Sequence, residues 1–377
     1  MTPDFWKSPS PPRSDADYMR AALALARRGL GRTAENPAVG ALVVRDDVIV
    51  GQGWTQDGGR PHAERVALDA AGALARGATM YVTLEPCSHH GKTPPCADAI
   101  VAAGISRVVS ALEDPDKRVA GQGHEILRKA GVEVVVGVLG EEALRVTLGH
   151  VLRVRENRPM VTLKLAETLD GYAAGDEHDP RLTITSAPAN ARTHTLRAMH
   201  DAIMVGIGTA QADDPLMTVR APGLEGRRPL RVALDAKLAL SPRSRLATSA
   251  RETPALVLSD AKADAGRAKI LREAGVEIAP VAVGGDGRID LKDALTALAR
   301  RGITRVFSEG GPRIGAALIA QGLADEVVIF TAPRPHGRGT QALSSEARAI
   351  LADPARYTLV EDTKLGPDRM RRYERVL

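Results

Sequence analysis

Thiols and aromatic rings are scarce in this 377-residue chain, which has two cysteines and only 3% aromatic residues. So few rings leave little with which to stack bases, and the lysines and arginines are scattered rather than clustered, so nucleic acid is not expected as a main partner. With 51 basic against 46 acidic residues the formal charge is +5, mild for this length and compatible with a phosphorylated small-molecule substrate. No apolar run approaches the ~20 residues of a membrane span, and the N-terminus lacks the apolar stretch of a signal peptide. The expectation is a cytoplasmic protein with no membrane partner, in a compartment where thiols stay reduced. A disulfide is then a poorer use of the two cysteines than a metal site or free thiols. A G-x-G-x-x-G fingerprint is also absent, so nothing in the sequence marks a Rossmann-type dinucleotide turn.

What is present reads as two α/β domains. Residues 1–14, rich in Pro and Ser, read as a flexible tail. From Asp15 the text turns helical and puts Met19, Ala22, Leu23 and Ala26 on one face. "AVGALVVRDDVIVGQGW" is a hairpin about Asp46–Asp47, and "HAERVALDAAG" a helix. "ATMYVTLEP" is a strand, and "PPCADAIVAAGI" starts a helix with Pro95 in its first turn. Strand, helix and strand follow in "SRVVSALED", "GHEILRKAG" and "VEVVVGVL". The polar stretch "RVRENRP", 153–159, marks the boundary between a first domain, 15–152, and a second, 160–377. In the second, runs such as "MVTLKLA", "AIMVGI", "LRVALD", "ALVLS", "RVFSEG" and "ADEVVIFTAP" read as strands, with "AKILREAG" and "LKDALTALARRG" as helices.

Both cysteines sit in "EPCSHHGKTPPC", and "PHAE" lies upstream. His62, Glu64, Cys87 and Cys96 therefore give H-x-E followed by P-C and a later Cys, close to the signature of zinc-dependent nucleobase deaminases. One imidazole and two thiolates suit a tetrahedral Zn²⁺ that keeps a position for water, and two thiolates cancel the ion's charge. Glu64, two residues past a ligand, can reach that water without binding the metal and can serve as the catalytic acid and base. Two plainer readings stay open: a closed structural zinc completed by His89 or His90, and two free buried cysteines beside an incidental histidine. In the second domain "RVFSEGGPRIGAAL" is a strand, a Gly-rich turn and a helix start, a common way to offer N–H groups to a phosphate, although a plain tight turn would look the same.

Eight residues separate the two cysteines, where nucleoside and tRNA deaminases have two. Here the sequence closely resembles the bifunctional riboflavin-biosynthesis deaminase/reductases. The resemblance rests on "NPAVGALVV", "PHAE", "YVTLEPCSHHGKTPPC" and "EDPDKRVAGQG", then on "KLAETLDG", "ADDPLMTVR", "RVALD" and "SEGGPRIGAAL", and spans about 15–377. It implies a cytidine-deaminase-like α/β/α domain followed by a dihydrofolate-reductase-like α/β domain, with one Zn²⁺ per chain and NADPH. It also implies a phosphorylated pyrimidine substrate and a homo-oligomer. By motif, Asn36, Lys92 and Asp114 match the deaminase substrate site. Arg197, Met217, Arg220, Glu309 and Lys164 match the reductase substrate site, where two arginines suit a 5′-phosphate. Ala166, Thr209, Asp213 and the run Gly311, Pro312, Arg313, Ile314 and Gly315 match cofactor contacts.

The chain departs from the family pattern in places. Thr55 stands where relatives often have His, and Asp116 where they often have Asn. Arg181 and Thr183 replace a Ser and a Trp in a loop about one residue longer. The lost aromatic wall motivates an alternative, a deaminase whose second domain binds a ligand or mediates oligomerisation without turnover.

Overall fold

The computed structural model describes residues 13–88, 94–116, 120–176, 179–180 and 182–377. The chain divides into two compact units, 1–155 and 156–377.

The first unit runs α1 (Asp15–Ala26), β1 (Gly40–Arg45), β2 (Val48–Trp54), α2 (Ala63–Ala71), β3 (Thr79–Val82), α3 (Cys96–Ala103), β4 (Arg107–Ser110), α4 (Gln122–Lys129), β5 (Glu133–Val136) and α5 (Gly140–Glu156). Ser14 caps α1 in a reciprocal box with Asp17, and Met19, Ala22, Leu23 and Ala26 are buried as the periodicity requires. Asp46 and Asp47 both adopt positive φ, as a tight two-residue hairpin demands, and join β1 to β2. The sheet order is β2-β1-β3-β4-β5, with β3, β4 and β5 parallel. α2 lies flush on β2 because two strand positions lack side chains. A Cβ on Gly51 would stand 2.2 Å from the Ala67 carbonyl oxygen, and one on Gly53 would stand 2.4 Å from that of Ala63. Ala41, Val43, Met80, Val82 and Val108 carry the core toward α2 and α3. Within the polar stretch 153–159, Arg153–Glu156 is the last turn of α5, whose Ala143, Val146, Leu148, Val151 and Leu152 are buried.

The second unit runs β6 (Met160–Glu167), β7 (Tyr172–Ala174), α6 (Ala187–Ala198), β8 (Ala202–Gly206), α7 (Ile207–Asp213), β9 (Leu230–Leu234), α8 (Arg245–Thr248), β10 (Ala255–Ser259), α9 (Ala265–Glu273), β11 (Glu277–Pro280), α10 (Leu291–Arg300), β12 (Arg305–Ser308), α11 (Pro312–Ala320), β13 (Glu326–Thr331), β14 (Thr340–Gln341), α12 (Ser345–Ala352), β15 (Tyr357–Leu365) and β16 (Asp368–Arg375). Nine strands form one sheet, β11-β10-β9-β8-β12-β6-β13-β16-β15, parallel except at the β13-β16-β15 edge. Its two faces build separate apolar clusters. Val161, Leu163 and Leu165 of β6 join α10 and α11 on one face, while Phe307, Val328 and Phe330 pack with α6 on the other. Period-two alternation along β6 turns Lys164 and Ala166 away from the first cluster.

Inside this sheet His200 is fully buried. Nδ1 donates to the Leu196 carbonyl at 2.7 Å, and Nε2 accepts from the Thr162 hydroxyl at 2.9 Å. Burial pulls its pKa down to about 3. A depressed folded pKa means the unfolded chain takes the proton first, so the stability that His200 contributes is present above pH ~6.5 and is lost as pH falls toward 3. Between pH 7 and pH 5 the second unit therefore loses about 2 kcal/mol through this group. Urea unfolding of wild type and His200→Gln at both pH values checks it: the variant's pH-dependent loss should be smaller by that amount, and parallel losses would refute the assignment.

Candidate active sites

His62 is the N-cap of α2, and Glu64 lies in its first turn. Cys96 is the first residue of α3, with Pro95 as N-cap, one position earlier than expected. The backbone N–H of Cys96 donates to the Cys87 sulfur at 3.3 Å, so the start of α3 faces that thiol. His62 Nδ1 lies 3.7 Å from the Cys87 sulfur and 3.4 Å from the Cys96 sulfur, and the three donor atoms fall within 4.8 Å of one another. Around a tetrahedral ion with Zn–N of about 2.05 Å and Zn–S of about 2.3 Å, such atoms stand about 3.6 Å apart. The donor set and its spacing fit zinc. Among the described residues no fourth His, Cys, Asp or Glu joins the group. His89 and His90, the alternatives for a closed structural site, lie outside the described residues, as does Lys92.

Hydrogen bonds couple the three donors. The Cys87 pKa is pulled down to about 4, chiefly by the hydrogen bond from the Cys96 thiol, and the Cys96 thiol that donates it is pushed up. Hydrogen bonding to Cys87 raises His62. Glu64 is 4% exposed, and burial pushes its carboxyl up, with the His62 ring acting in the opposite sense. A buried carboxyl shifted upward in this way beside a ligand set can both take and return a proton.

The other first-unit expectations make contacts of their own. The Asn36 amide lies over Gly59, where a Cβ would come within 2.1 Å of it, and Gly59 precedes His62 by three residues. Thr55 is 2% exposed, and its hydroxyl donates to the Pro37 carbonyl and accepts from the Val39 N–H, each at 3.0 Å. It holds the backbone next to Asn36 rather than facing solvent. Asp114 Oδ1 accepts from the Asp116 N–H at 2.8 Å, which folds the "EDPD" turn on itself.

In the second unit Glu309 and Arg197 form a bidentate pair at 2.5 and 2.8 Å, and the third Arg197 nitrogen donates to the Thr218 carbonyl at 2.9 Å. All three guanidinium nitrogens are thus engaged within the chain, while Arg220 is exposed. Glu309 sits low despite its burial because Arg197, and then Lys164, offset the desolvation. Met217 is buried at φ 53°. The loop carrying Met217 and Arg220 is held by groups that the sequence did not single out. His194 of α6 accepts the Arg220 N–H at 3.2 Å, and the fully buried Arg231 donates to the Leu216 carbonyl at 3.3 Å. No local signal marks His194 or Arg231, since their partners are 26 and 15 residues away.

Gly311 is the N-cap of α11 and Pro312 its first residue, directly beyond β12. Ile314 fills the space a side chain on Gly310 would need, a Cβ there lying 2.8 Å from its Cγ2. Thr209 Oγ1 stands 3.1 Å from where a Gly311 Cβ would be. This bare-backbone helix start between Thr209 and Ile314 fits a dinucleotide phosphate. Asp213 ends α7, Gly315 packs toward Leu163 and Leu165, and Arg313 lies in the first turn of α11. Thr183 is exposed, and Arg181 lies outside the described residues.

Fold and sites together define a zinc deaminase unit joined to an α/β nucleotide-cofactor reductase unit. Residues 12–112 match the cytidine and deoxycytidylate deaminase zinc-binding region, and residues 159–369 match the RibD C-terminal domain. The RibD riboflavin biosynthesis protein of Aquifex aeolicus (strain VF5) is 42% identical over 325 residues, 86% of this chain and 88% of that protein. Its Escherichia coli (strain K12) counterpart is 37% identical, covering 94% and 97%. The solved Acinetobacter baumannii RibD (form 1) superposes with a TM-score of 0.83 at 33% identity, covering 96% and 99%. A Thermotoga maritima diaminohydroxyphosphoribosylaminopyrimidine deaminase/5-amino-6-(5-phosphoribosylamino)uracil reductase gives 0.81 at 34% identity, with the same coverage. The chain belongs to the RibD family, the bifunctional deaminase/reductases of riboflavin biosynthesis, with Zn²⁺ and NADPH as cofactors. The turnover-free alternative for the second unit is not favoured by these likenesses.

Proposed function

We propose that the first unit, within 15–152, hydrolyses the 2-amino group of 2,5-diamino-6-ribosylamino-4-pyrimidinone 5′-phosphate, and that the second, 160–377, reduces the ribosyl side chain of the product to ribityl. The single observation that carries the first half is the His62, Cys87 and Cys96 spacing with buried Glu64 alongside. Zinc, when bound, supplies the Lewis acidity that brings a water to nucleophilic strength near neutral pH. His62 and the two thiolates hold it. Glu64 takes one proton from the attacking water and delivers it to a ring nitrogen, then takes the proton of the hydroxyl added to the ring carbon and passes it to the amino group, which leaves as ammonia. Asn36 and Asp114 orient the pyrimidine, and Lys92 takes its phosphate.

NADPH, when bound, supplies the hydride. Gly311–Gly315, Thr209, Asp213 and Ala166 hold it, and Lys164, Met217 and Glu309 line the sugar site. Arg220 takes the 5′-phosphate, because Arg197 is committed to Glu309 and Thr218. A metal-binding thiol pair supports a cytoplasmic setting. Exposed Leu359 and Val360 on the edge strand β15 support a homo-oligomer. Among the described residues no helix is long and apolar enough to cross a membrane.

The test is a coupled assay. Purified protein incubated with the diamino-pyrimidinone phosphate releases ammonia and then oxidises NADPH in equal amount. Ammonia without NADPH loss would remove the second half.

A further inference from the structure

We infer that Glu85 is a positioning residue for the deaminase substrate loop; the inference rests on the deaminase reading of the first unit. Glu85 is buried, its side chain 2% exposed, two residues before Cys87. Oε2 accepts the backbone N–H groups of Asp114 and Gly121 at 3.0 and 2.9 Å. Oε1 accepts those of Gly123 and His124 at 2.8 and 3.3 Å. One carboxylate thus gathers four amides from one segment, including the first turn of α4, whose N–H groups have no partner within the helix. The Glu85 N–H also donates to the Leu112 carbonyl at 2.8 Å.

The approach is tight. A Cβ on Gly123 would stand 2.0 Å from the Pro86 carbonyl oxygen, so only glycine lets the start of α4 sit against the segment that leads from β3 to Cys87. β3 and β4 are parallel neighbours, and both segments emerge beyond their carboxyl ends, where ligands gather in open α/β sheets. Glu85 therefore ties the metal-ligand segment to the loop bearing Asp114, without touching substrate or metal itself.

The full-length, zinc-loaded Glu85→Gln variant tests this. Its amide nitrogen would confront two N–H donors and release them. KM for the pyrimidine phosphate rises about tenfold or more while kcat stays within about threefold, the pattern of lost substrate placement. Zinc stays at one per chain, NADPH turnover on the deaminated intermediate is unchanged, and the amides of Asp114, Gly121, Gly123 and His124 exchange faster. Gly123→Ala, which pushes α4 off Pro86 and leaves the carboxylate intact, reproduces the KM rise, and Glu85→Asp restores part of it. KM within about twofold of wild type in Glu85→Gln overturns the proposal. So does loss of zinc, which would make Glu85 a support of the metal site alone. A wild-type enzyme that releases no ammonia overturns the deaminase reading instead.

Discussion

Glu64→Gln lowers ammonia release by about a thousandfold while zinc content and NADPH turnover on the deaminated intermediate stay at wild-type levels. The substitution keeps size and burial but replaces a carboxylate that can accept and return a proton with an amide that does neither, and Glu64 is not among the three grouped donors. Its backbone position in the first turn of α2 does not depend on charge, so His62 should remain at the N-cap. The measurement is a steady-state ammonia assay with metal analysis on the same sample. A structural zinc would be indifferent to this change, so undiminished deamination would return the site to that plainer reading. Zinc lost along with activity would mean that Glu64 supports the ligand set.

The second large effect is on stability. Asp325, its side chain fully buried, accepts two hydrogen bonds from Arg158 at 2.7 and 2.8 Å and two from Arg375 at 3.1 and 3.0 Å. Its Oδ2 also accepts the Val161 N–H at 2.9 Å. The carboxylate so joins the start of β6 to the end of β16. Asp325→Ala strips the partly exposed Arg375 of its carboxylate and leaves the buried Arg158 with only Glu156 and the Pro159 carbonyl, which costs about 3 kcal/mol. For a unit of this size the melting temperature falls by roughly 10 °C. Thermal unfolding followed by the loss of NADPH turnover reads the second unit, while zinc retention reads the first and should be unaffected. A loss below about 1 kcal/mol would mean that desolvation of the three charges nearly cancels their attraction.

The parts of the fold legible from sequence are those where local chemistry decides. α1, the β1–β2 hairpin and the central strands β6, β8, β9, β10, β12 and β13 carry apolar runs or a two-residue turn that neighbouring residues specify. Several elements escaped, among them α5, α6, α12 and the β15–β16 pair. α5 ends in "RVRE", whose charges mimic a linker because only its other face is covered. β15 and β16 hold "EDTKLGPDRMRRYER", which lacks apolar alternation because the hairpin forms the sheet edge and its charges pair across strands, Arg372 with Glu361 and Arg369 with Asp362.

The site shows the same division. H-x-E at a helix start and a cysteine beside Pro-Pro point to a zinc ligand set with a carboxylate close by, because Zn²⁺ selects ligand types and a short helical offset places the acid. Only the folded chain decided that Thr55 turns its hydroxyl inward, that Arg197 is consumed by Glu309 and Thr218, and that Glu85 gathers the amides of a distant loop. Each is a contact between segments far apart in the chain. Whether a polar side chain faces a ligand or satisfies buried backbone depends on which donors the tertiary packing brings within about 3 Å of it.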